Sequence, residues 1–535
     1  MSGDSPSLVS YAPPDAPDRA RRSFGLGPTS LLRLYAAPRH RRLLAEDAAA
    51  SQERQLLALV RRGQRTRFGR DHGLAGVGDV RGYQERVPLR SYGELWDAYW
   101  RHGFPHLTDC TWPGAMPFFA VSSGTTTGKV KHIPCSWAMV RANKHAALDT
   151  LVHHLAATPD SRLCDGSFFV LGGSTDLAEL GPGVHAGDIS GIAAYAQPWW
   201  SRPFAFPPPE IRFLTDWEQK LERMSRLSLT RRIRGLSGAP GWQLVLLEKL
   251  ASLRPESSGR IVELYPELEL LIHGGVSMAP YRRRFEALLA GSRAKLREVY
   301  AASEGFLAIA DRGPGEGMRL VTDNGTFFEF VPVAELGSPN PTRHWLGTVE
   351  TGIDYAIVLT TCAGLWSYVI GDVVRFVDTS PPRILIAGRT SYMLSAFGEH
   401  VTGELVETCV LAAAHAAGFE VAEFAVGTEF MVDQGSWGRH VHLIEATGAA
   451  PDPAQLAHFT ERLDRELAER NEDYAERRVV PVGLQAPLVE LMPAGGFKAW
   501  MRQRGKLGGQ HKVPRVISDA AMLAELRQLA AMARG

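Results

Sequence analysis

The chain has 535 residues, too many for one hydrophobic core, so we expect two or more domains. Its hydrophobic share of 45% and charged share of 22% are those of a soluble globular protein. A formal net charge of +1 gives no electrostatic reason to expect nucleic acid or an anionic membrane as a partner. The five cysteines are scattered and form no CxxC pair, which excludes a typical disulfide framework or zinc site and favours a cytoplasmic location.

The N-terminal segment lacks the apolar stretch of a signal peptide. Residues 1–22 are rich in Pro, Asp, Ser and Arg, and we expect them to form a disordered tail. No apolar run in the sequence is long enough to span a bilayer, so we expect no membrane partner.

Apolar periodicity predicts helical structure from about residue 28 to 65 and a helix from about 136 to 157. Between them, residues 117–122 read as a short buried strand that enters a glycine-rich loop, so the expected order is strand, loop, helix. Later strands are predicted at 167–171, 270–273, 297–301, 325–332, 355–360 and 383–387, and later helices at 278–292, 402–417, 453–472 and 520–533.

The order of these elements predicts an α/β protein with two folded domains. A large N-terminal α/β domain, with β-sheets flanked by helices, is expected over residues 23–385, and a small α+β C-terminal domain over 386–535. The proline-rich turn at 379–382 is predicted to lie at the boundary between them.

The loop VSSGTTTGKVK at residues 121–131 carries the strongest chemical signal. Its glycines allow backbone N–H groups to approach an oxyanion, its hydroxyls add donors, and its lysines add charge, so it suits a polyphosphate. It is not an ordinary P-loop, because three residues separate Gly124 from Gly128 and Val130 stands where Ser or Thr should follow the lysine. A Ser/Thr/Gly surface turn is the alternative interpretation.

Several further motifs follow in a fixed order. They are YAASEG at 300–305, YVIGD at 368–372, GRT at 388–390, GEHVTGE at 398–404 and GGQHKVPR at 508–515. This series resembles the adenylate-forming superfamily of acyl-CoA synthetases, adenylation domains and luciferases. More closely, it resembles the Gretchen Hagen 3 family of acyl-acid amido synthetases, and the likeness extends from TRFGRD at 66–71 through most of the chain.

The resemblance implies an adenylate-forming fold with a mobile C-terminal domain, and two half-reactions. A carboxylic acid attacks the α-phosphate of ATP, giving an acyl adenylate and pyrophosphate. An amine, usually that of an amino acid, then takes the acyl group and releases AMP. The implied cofactors are ATP and Mg²⁺, and the implied partners are a small carboxylic acid and an amino acid or other amine.

The family pattern is carried over residue by residue. Lys131 matches the lysine that closes the phosphate loop, with Lys129 as an extra neighbour. Tyr300 matches the aromatic residue that stacks on adenine, and Asp372 the aspartate that accepts hydrogen bonds from the ribose. The phosphate loop is assigned Ser122, Ser123, Gly124, Thr125 and Thr126.

The remaining site residues follow the same resemblance. Ser303 and Glu304 match the Ser/Thr–Glu pair, in which the glutamate lies near Mg²⁺; oxygen ligands of this kind suit a hard cation. Ala301, beside Tyr300, and Arg389, near the hinge, are assigned to the nucleotide site. Gly275 is expected to let the adenine lie close to the backbone.

A C-terminal lysine completes the expected machinery. Lys512 matches the lysine that reaches the α-phosphate and the reacting carboxylate during adenylation, a role that suits a flexible point charge. Lys506 is the competing candidate, since it lies in the same glycine-rich segment.

Three questions stay open at this stage. The acceptor could be a thiol instead of an amine, as in acyl-CoA ligases, or the protein could bind a nucleotide without turnover. Residues 165–200, with His185 and Asp188 among them, are a candidate acyl-pocket segment that also suits a purely structural role. The oligomeric state and the identities of the acid and the amine are not encoded in any motif.

Overall fold

The computed structural model describes most of the chain, with gaps. The described residues are 27–123, 130–172, 177–214, 217–275, 278, 281–336, 338–389, 394, 399, 401, 403–430, 438–471, 474–475, 478, 484–504, 513–517 and 519–532. The tail expected at residues 1–22 lies outside these ranges.

The helices are distributed over the whole described chain. They are α1 Pro28–Leu44, α2 Ala48–Gly63, α3 Arg67–Asp71, α4 Val80–Arg86, α5 Tyr92–Leu95, α6 Trp137–Ala157, α7 Ile189–Tyr195, α8 Pro209–Arg212, α9 Trp217–Ser228, α10 Pro240–Leu253, α11 Ile261–Leu264, α12 Arg282–Leu289, α13 Gly403–Ala417, α14 Pro453–Arg470, α15 Gly496–Gln503 and α16 Ala520–Met532.

The strands form three sheets. They are β1 Phe118–Ser123, β2 Val130–Cys135, β3 Ser167–Leu171, β4 Ala178–Gly181, β5 Val184–Gly187, β6 Ala205–Phe206, β7 Ile233–Gly238, β8 Leu270–Gly274, β9 Lys295–Ala302, β10 Gly305–Ile309, β11 Met318–Leu320, β12 Thr326–Pro332, β13 His344–Trp345, β14 Asp354–Thr361, β15 Tyr368–Thr379, β16 Pro382–Arg389, β17 Val421–Phe430, β18 Gly438–Ala446, β19 Leu488–Leu491 and β20 Val516–Ile517.

The largest sheet has twelve strands in the order β13-β12-β14-β15-β16-β11-β10-β9-β8-β7-β3-β6. Strands β6, β3, β7, β8 and β9 run parallel, and the strands from β9 to β13 are antiparallel to their neighbours. The central parallel strands are apolar because helices α9, α10 and α12 contribute to the core against them. The carboxyl ends of β8 and β9 therefore meet at one edge of the sheet, where ligands of α/β proteins bind.

A second sheet carries the hydroxyl-rich loop. It has four strands in the order β2-β1-β5-β4, and β1 and β2 form an antiparallel pair. Ser136 begins α6 directly after β2: its hydroxyl accepts a hydrogen bond from Met139 N at 3.1 Å and donates to Cys362 O at 2.6 Å. This double role ties the hairpin and α6 to the end of β14.

The C-terminal residues form their own sheet, with four strands in the order β19-β18-β17-β20. Helices α13 and α14 complete a core on one side of it, and α15 and α16 contribute to a second core. An ion pair of 2.9 Å between Arg283 of α12 and Glu420 joins this part of the chain to the large sheet's domain.

Most of the predicted elements are present, and two expectations are wrong. The order strand, loop, helix is wrong because β2 intervenes; its residues pair with β1, so the glycine-rich segment joins two strands of a hairpin. The turn at 379–382 exists, but its boundary role is wrong, because β15 and β16 on either side pair with each other in the large sheet. Strand β16 continues across the expected boundary at 385/386 to Arg389.

Two helical expectations also change. The helical region at 28–65 is two helices, because Asp47 caps the start of α2 by accepting from Ala50 N. The helix expected at 278–292 is described from Arg282 to Leu289.

Within the described ranges, no helix combines the length and apolar character that crossing a membrane requires.

Candidate active site

The edge formed by β8 and β9 holds the first group of predicted residues. Gly274 pairs with Val299, so Gly275 follows at the level of Tyr300. A Cβ on Gly274 would lie 2.3 Å from Val299 O, so this position needs glycine. Gly275 has a φ of +79°, which also favours glycine. Two successive residues without side chains therefore let β8 lie directly against the Tyr300 end of β9.

Tyr300 and Asp372 meet although their strands are separated in the sheet. The Tyr300 hydroxyl donates to Asp372 Oδ2 at 2.5 Å, and the two residues are 5% and 9% exposed. Strands β10, β11 and β16 lie between β9 and β15, so a flat sheet would hold them roughly 19 Å apart at the usual strand spacing. The sheet must curve strongly here, and its concave side brings the two predicted nucleotide contacts together.

Glu304 lies in the turn between β9 and β10 and is 8% exposed. The Tyr368 hydroxyl donates to Glu304 Oε1 at 3.4 Å. Phe306 N donates to Asn143 Oδ1 of α6 at 3.0 Å, which holds the turn against that helix. Gly305 has a φ of +155°, a conformation that other residues rarely adopt. The carboxylate is thus fixed by the backbone on one side and by Tyr368 on the other.

Tyr368 and Asp372 lie on the same strand, β15, on either side of an irregularity. The register with β14 shifts between Val369 and Val373, and Gly371 has a φ of +94°. Tyr368 reaches Glu304, and Asp372 reaches Tyr300. A single strand therefore positions the predicted magnesium carboxylate and the predicted ribose carboxylate.

Lys131 lies on β2 close to the hydroxyl-rich loop, directly opposite Ser122 of β1. Its Nζ is 5.6 Å from the centre of the Tyr92 ring, and the Tyr92 hydroxyl accepts from His132 N at 2.9 Å. Burial raises the pKa of Tyr92 and lowers that of His132, so both neighbours are neutral near pH 7. Neither of these two neighbours therefore adds a charge beside Lys131.

One short segment connects the hairpin to the Glu304 side. Arg90 forms a parallel bridge with Tyr368, and Tyr92 follows two residues later beneath Lys131. The segment from Arg90 to Tyr92 therefore contacts both Lys131 of the hairpin and the strand whose Tyr368 reaches Glu304.

Other predicted site residues are described in part or not at all. Ser303 is buried beside Glu304, and Ala301 is exposed on β9. The backbone of Ser123 ends β1, and that of Arg389 pairs with Asp372 between β16 and β15. Outside the described residues lie Gly124, Thr125, Thr126, Lys129, Lys506 and Lys512.

Sequence reasoning missed two aromatic residues of the site. Tyr368 was part of the YVIGD motif, and its place in that motif with Asp372 was the available signal. Tyr92 follows the VPLR segment, and nothing in its surroundings indicates a lysine partner some forty residues away. Such contacts depend on tertiary packing.

The residues present are compatible with a magnesium ion held largely by a substrate. In the part of the chain that the structure describes, no group of three or more His, Cys, Asp or Glu side chains converges as a metal site. Mg²⁺ in nucleotide enzymes commonly takes one or two protein carboxylates and completes its octahedron with phosphate oxygens and water. Glu304 is positioned to provide such a carboxylate.

Comparison with protein-family models covers most of the chain. The GH3 family N-terminal domain matches residues 40–164 and 183–294, the GH3 family central domain matches 319–389, and the GH3 family C-terminal domain matches 404–521. The chain belongs to the GH3 family. The family expected from the motifs is thereby confirmed, and the central match ends at Arg389, where β16 ends.

Curated relatives match shorter stretches. Indole-3-acetic acid-amido synthetase GH3.8 of Oryza sativa subsp. indica is 31% identical over 205 residues, which are 35% of this chain and 33% of the relative. For the first three such relatives, the matched stretch spans 33% to 45% of the relative's length.

Solved structures resemble the whole chain. The GH3.15 acyl acid amido synthetase superposes with a TM-score of 0.77 at 18% identity, covering 92% of this chain and 96% of that one. A 2-hydroxyisobutyryl-CoA ligase gives a TM-score of 0.57 at 16% identity, covering 89% and 91%. At these identities the likeness concerns the fold, and it confirms the expected adenylate-forming architecture with a C-terminal domain.

Proposed function

We propose that this GH3 protein is an ATP-dependent acyl-acid amido synthetase. It activates a small carboxylic acid as an acyl adenylate and transfers the acyl group to an amine, by preference an amino acid. The observation that carries this proposal is the convergence of Tyr300, Asp372 and Glu304, with Lys131 linked to them through Tyr92 and Tyr368. Family membership supports the same activity.

The chemical difficulty of adenylation explains these residue types. A carboxylate and a triphosphate repel each other, so the site must supply positive charge and fixed donors. Lys131 supplies charge at the base of the hairpin, and the hydroxyls of the Ser122–Thr126 run add donors. Glu304 would hold Mg²⁺, which would neutralise phosphate charge when bound. Tyr368 and the turn backbone keep that carboxylate in place.

The nucleoside is held by the opposite part of the site. The Tyr300 ring offers a stacking surface for adenine, and the glycines at 274–275 add no side chain beside it. Asp372, in its buried position, accepts hydrogen bonds from ribose hydroxyls. These contacts orient the α-phosphate toward the acid.

The second half-reaction requires a change of surroundings. The amine attacks the acyl carbonyl carbon, a C–N bond forms, the C–O bond to AMP breaks with its electron pair leaving on the phosphate, and the nitrogen releases a proton to water. Lys512 belongs to the first step, and rotation of the C-terminal domain withdraws it. The ATP requirement agrees with the cytoplasmic location that the scattered cysteines favour.

A screen of carboxylic acids tests the proposal. Purified protein with ATP, Mg²⁺ and one acid at a time should catalyse ATP–pyrophosphate exchange for a subset of acids. Mass spectrometry of reactions with mixed amino acids should then detect amides. Product formation with coenzyme A instead of amines would identify an acyl-CoA ligase, and tight ATP binding without exchange for any acid would identify a non-catalytic nucleotide-binding protein.

A further inference from the structure

Arg90 lies between the two parts of the candidate site. Its N–H donates to Ser367 O and its carbonyl accepts from Val369 N, both at 2.9 Å, which makes the parallel bridge with Tyr368. Bridge partners project to the same face of a sheet, so Arg90 leaves the backbone on the face from which Tyr368 reaches Glu304. Arg90 therefore leaves the backbone beside Tyr368, the residue that contacts Glu304.

The guanidinium of Arg90 contacts two neutral side chains. Its Cζ is 5.9 Å from the centre of the Tyr99 ring, and Nη2 lies 3.2 Å from His72 Nε2. His72 Nδ1 bonds to Phe68 O at 3.0 Å, so the proton is on Nδ1 and Nε2 accepts from Arg90. Burial lowers the pKa of His72 and the charge of Arg90 acts in the same direction, which keeps the imidazole neutral near pH 7.

The charge of Arg90 has no protein counter-ion among the described residues. No carboxylate there lies within ion-pair distance, and Arg90 Nε is buried without a hydrogen-bond partner. Two acidic residues in this region have other partners: Asp71 accepts from the Tyr99 hydroxyl at 3.1 Å, and Glu94 accepts from Ser91 N at 2.7 Å. Burying an N–H of a charged group without a hydrogen-bond partner costs free energy. The guanidinium of Arg90 is therefore suited to binding an anionic ligand.

We propose that Arg90 binds the α-carboxylate of the amino acid that accepts the acyl group. The inference rests on the proposed function and specifies how that site selects its amine. A planar guanidinium with unused N–H groups matches a planar carboxylate, whereas Lys131 and the hydroxyl-rich hairpin already serve phosphates. With its carboxylate on Arg90, the amino acid directs its amine toward the acyl carbonyl on the Glu304 side.

The test separates adenylation from acceptor binding. Arg90→Gln is compared with Arg67→Gln, because Arg67 stacks on the same Tyr99 ring at 5.3 Å but is exposed. Pyrophosphate exchange is measured without amine, using the best acid from the screen. Amide formation is then measured with the best amino acid of the standard twenty and with its carboxamide, which keeps the amine and the side chain but lacks the negative charge.

Arg90→Gln should keep the KM for ATP and the exchange rate within about twofold, while the KM for the amino acid rises about ten- to a hundredfold, as expected for a lost charge-assisted hydrogen bond. The Arg90→Gln variant should no longer prefer the amino acid over its carboxamide, whereas the Arg67→Gln variant should keep that preference. A raised KM for ATP with that preference intact would overturn the inference and assign Arg90 to phosphate.

Arg90→Lys covers the case in which Arg90→Gln fails to fold. It keeps the charge but not the planar fork, so the KM for the amino acid should still rise while exchange persists; an unchanged KM would refute the inference. Absence of exchange in the wild-type protein for every acid would instead refute the proposed function.

Discussion

Tyr300 carries two separable interactions, and two substitutions distinguish them. Tyr300→Phe keeps the ring and removes the hydroxyl that donates to Asp372 at 2.5 Å. Both residues are buried, and a hydrogen bond to a charged group contributes about 1.5–3 kcal/mol, so the free energy of unfolding should fall by about 2 kcal/mol. Tyr300→Leu also removes the stacking surface, which for a base contributes about 1–3 kcal/mol.

The assays are urea unfolding and the KM for ATP in pyrophosphate exchange. Tyr300→Phe should change that KM by less than about threefold, and Tyr300→Leu should raise it by about five- to 150-fold, the equivalent of the stacking energy. Tyr265→Phe is the matched control, because it removes a buried hydroxyl that bonds Ser228 at 2.6 Å and should leave the KM unchanged. If Tyr300→Leu lowers stability but not ATP affinity, adenine does not stack on this ring.

Three further changes test other parts of the account. Glu304→Gln should reduce pyrophosphate exchange at least about tenfold and raise the Mg²⁺ concentration needed for half-maximal rate; unchanged Mg²⁺ dependence would contradict its role. Lys512→Ala should strongly depress exchange while transfer from preformed acyl adenylate survives, and equal loss of both steps would contradict a dedicated adenylation role. His442 is fully buried, and burial lowers its pKa to about 3. The unfolded chain takes up a proton at this histidine below about pH 6.5, whereas the folded chain does not. The free energy of unfolding of the wild type should therefore fall by about 2 kcal/mol through this residue between pH 7 and pH 5. In urea titrations at the two pH values, the fall for His442→Phe should be smaller by that amount.

Local sequence patterns predicted those helices and strands that are recognisable from their own residues. The apolar runs at 167–171 and 270–273 correspond to β3 and β8, and the helical pattern at 136–157 to α6. Strand β2 was missed because its six residues, VKHIPC, include a proline, and it is recognisable as a strand chiefly through its pairing with β1.

The candidate site was predictable as a set of motifs but not as a geometry. The resemblance assigned Tyr300, Glu304 and Asp372, yet their convergence depends on curvature of a twelve-stranded sheet, which no local pattern encodes. Tyr92 and Arg90 were missed because their partners Lys131 and Tyr368 are distant in sequence and meet them through tertiary packing.

The most direct test of the central claim is a crystal structure of the protein with AMP and Mg²⁺. The account predicts adenine against the Tyr300 ring, ribose hydroxyls donating to Asp372, and the phosphate between the β1–β2 hairpin and Glu304. A nucleotide bound elsewhere, with Tyr300 still hydrogen-bonded to Asp372 and no ligand beside either, would contradict it.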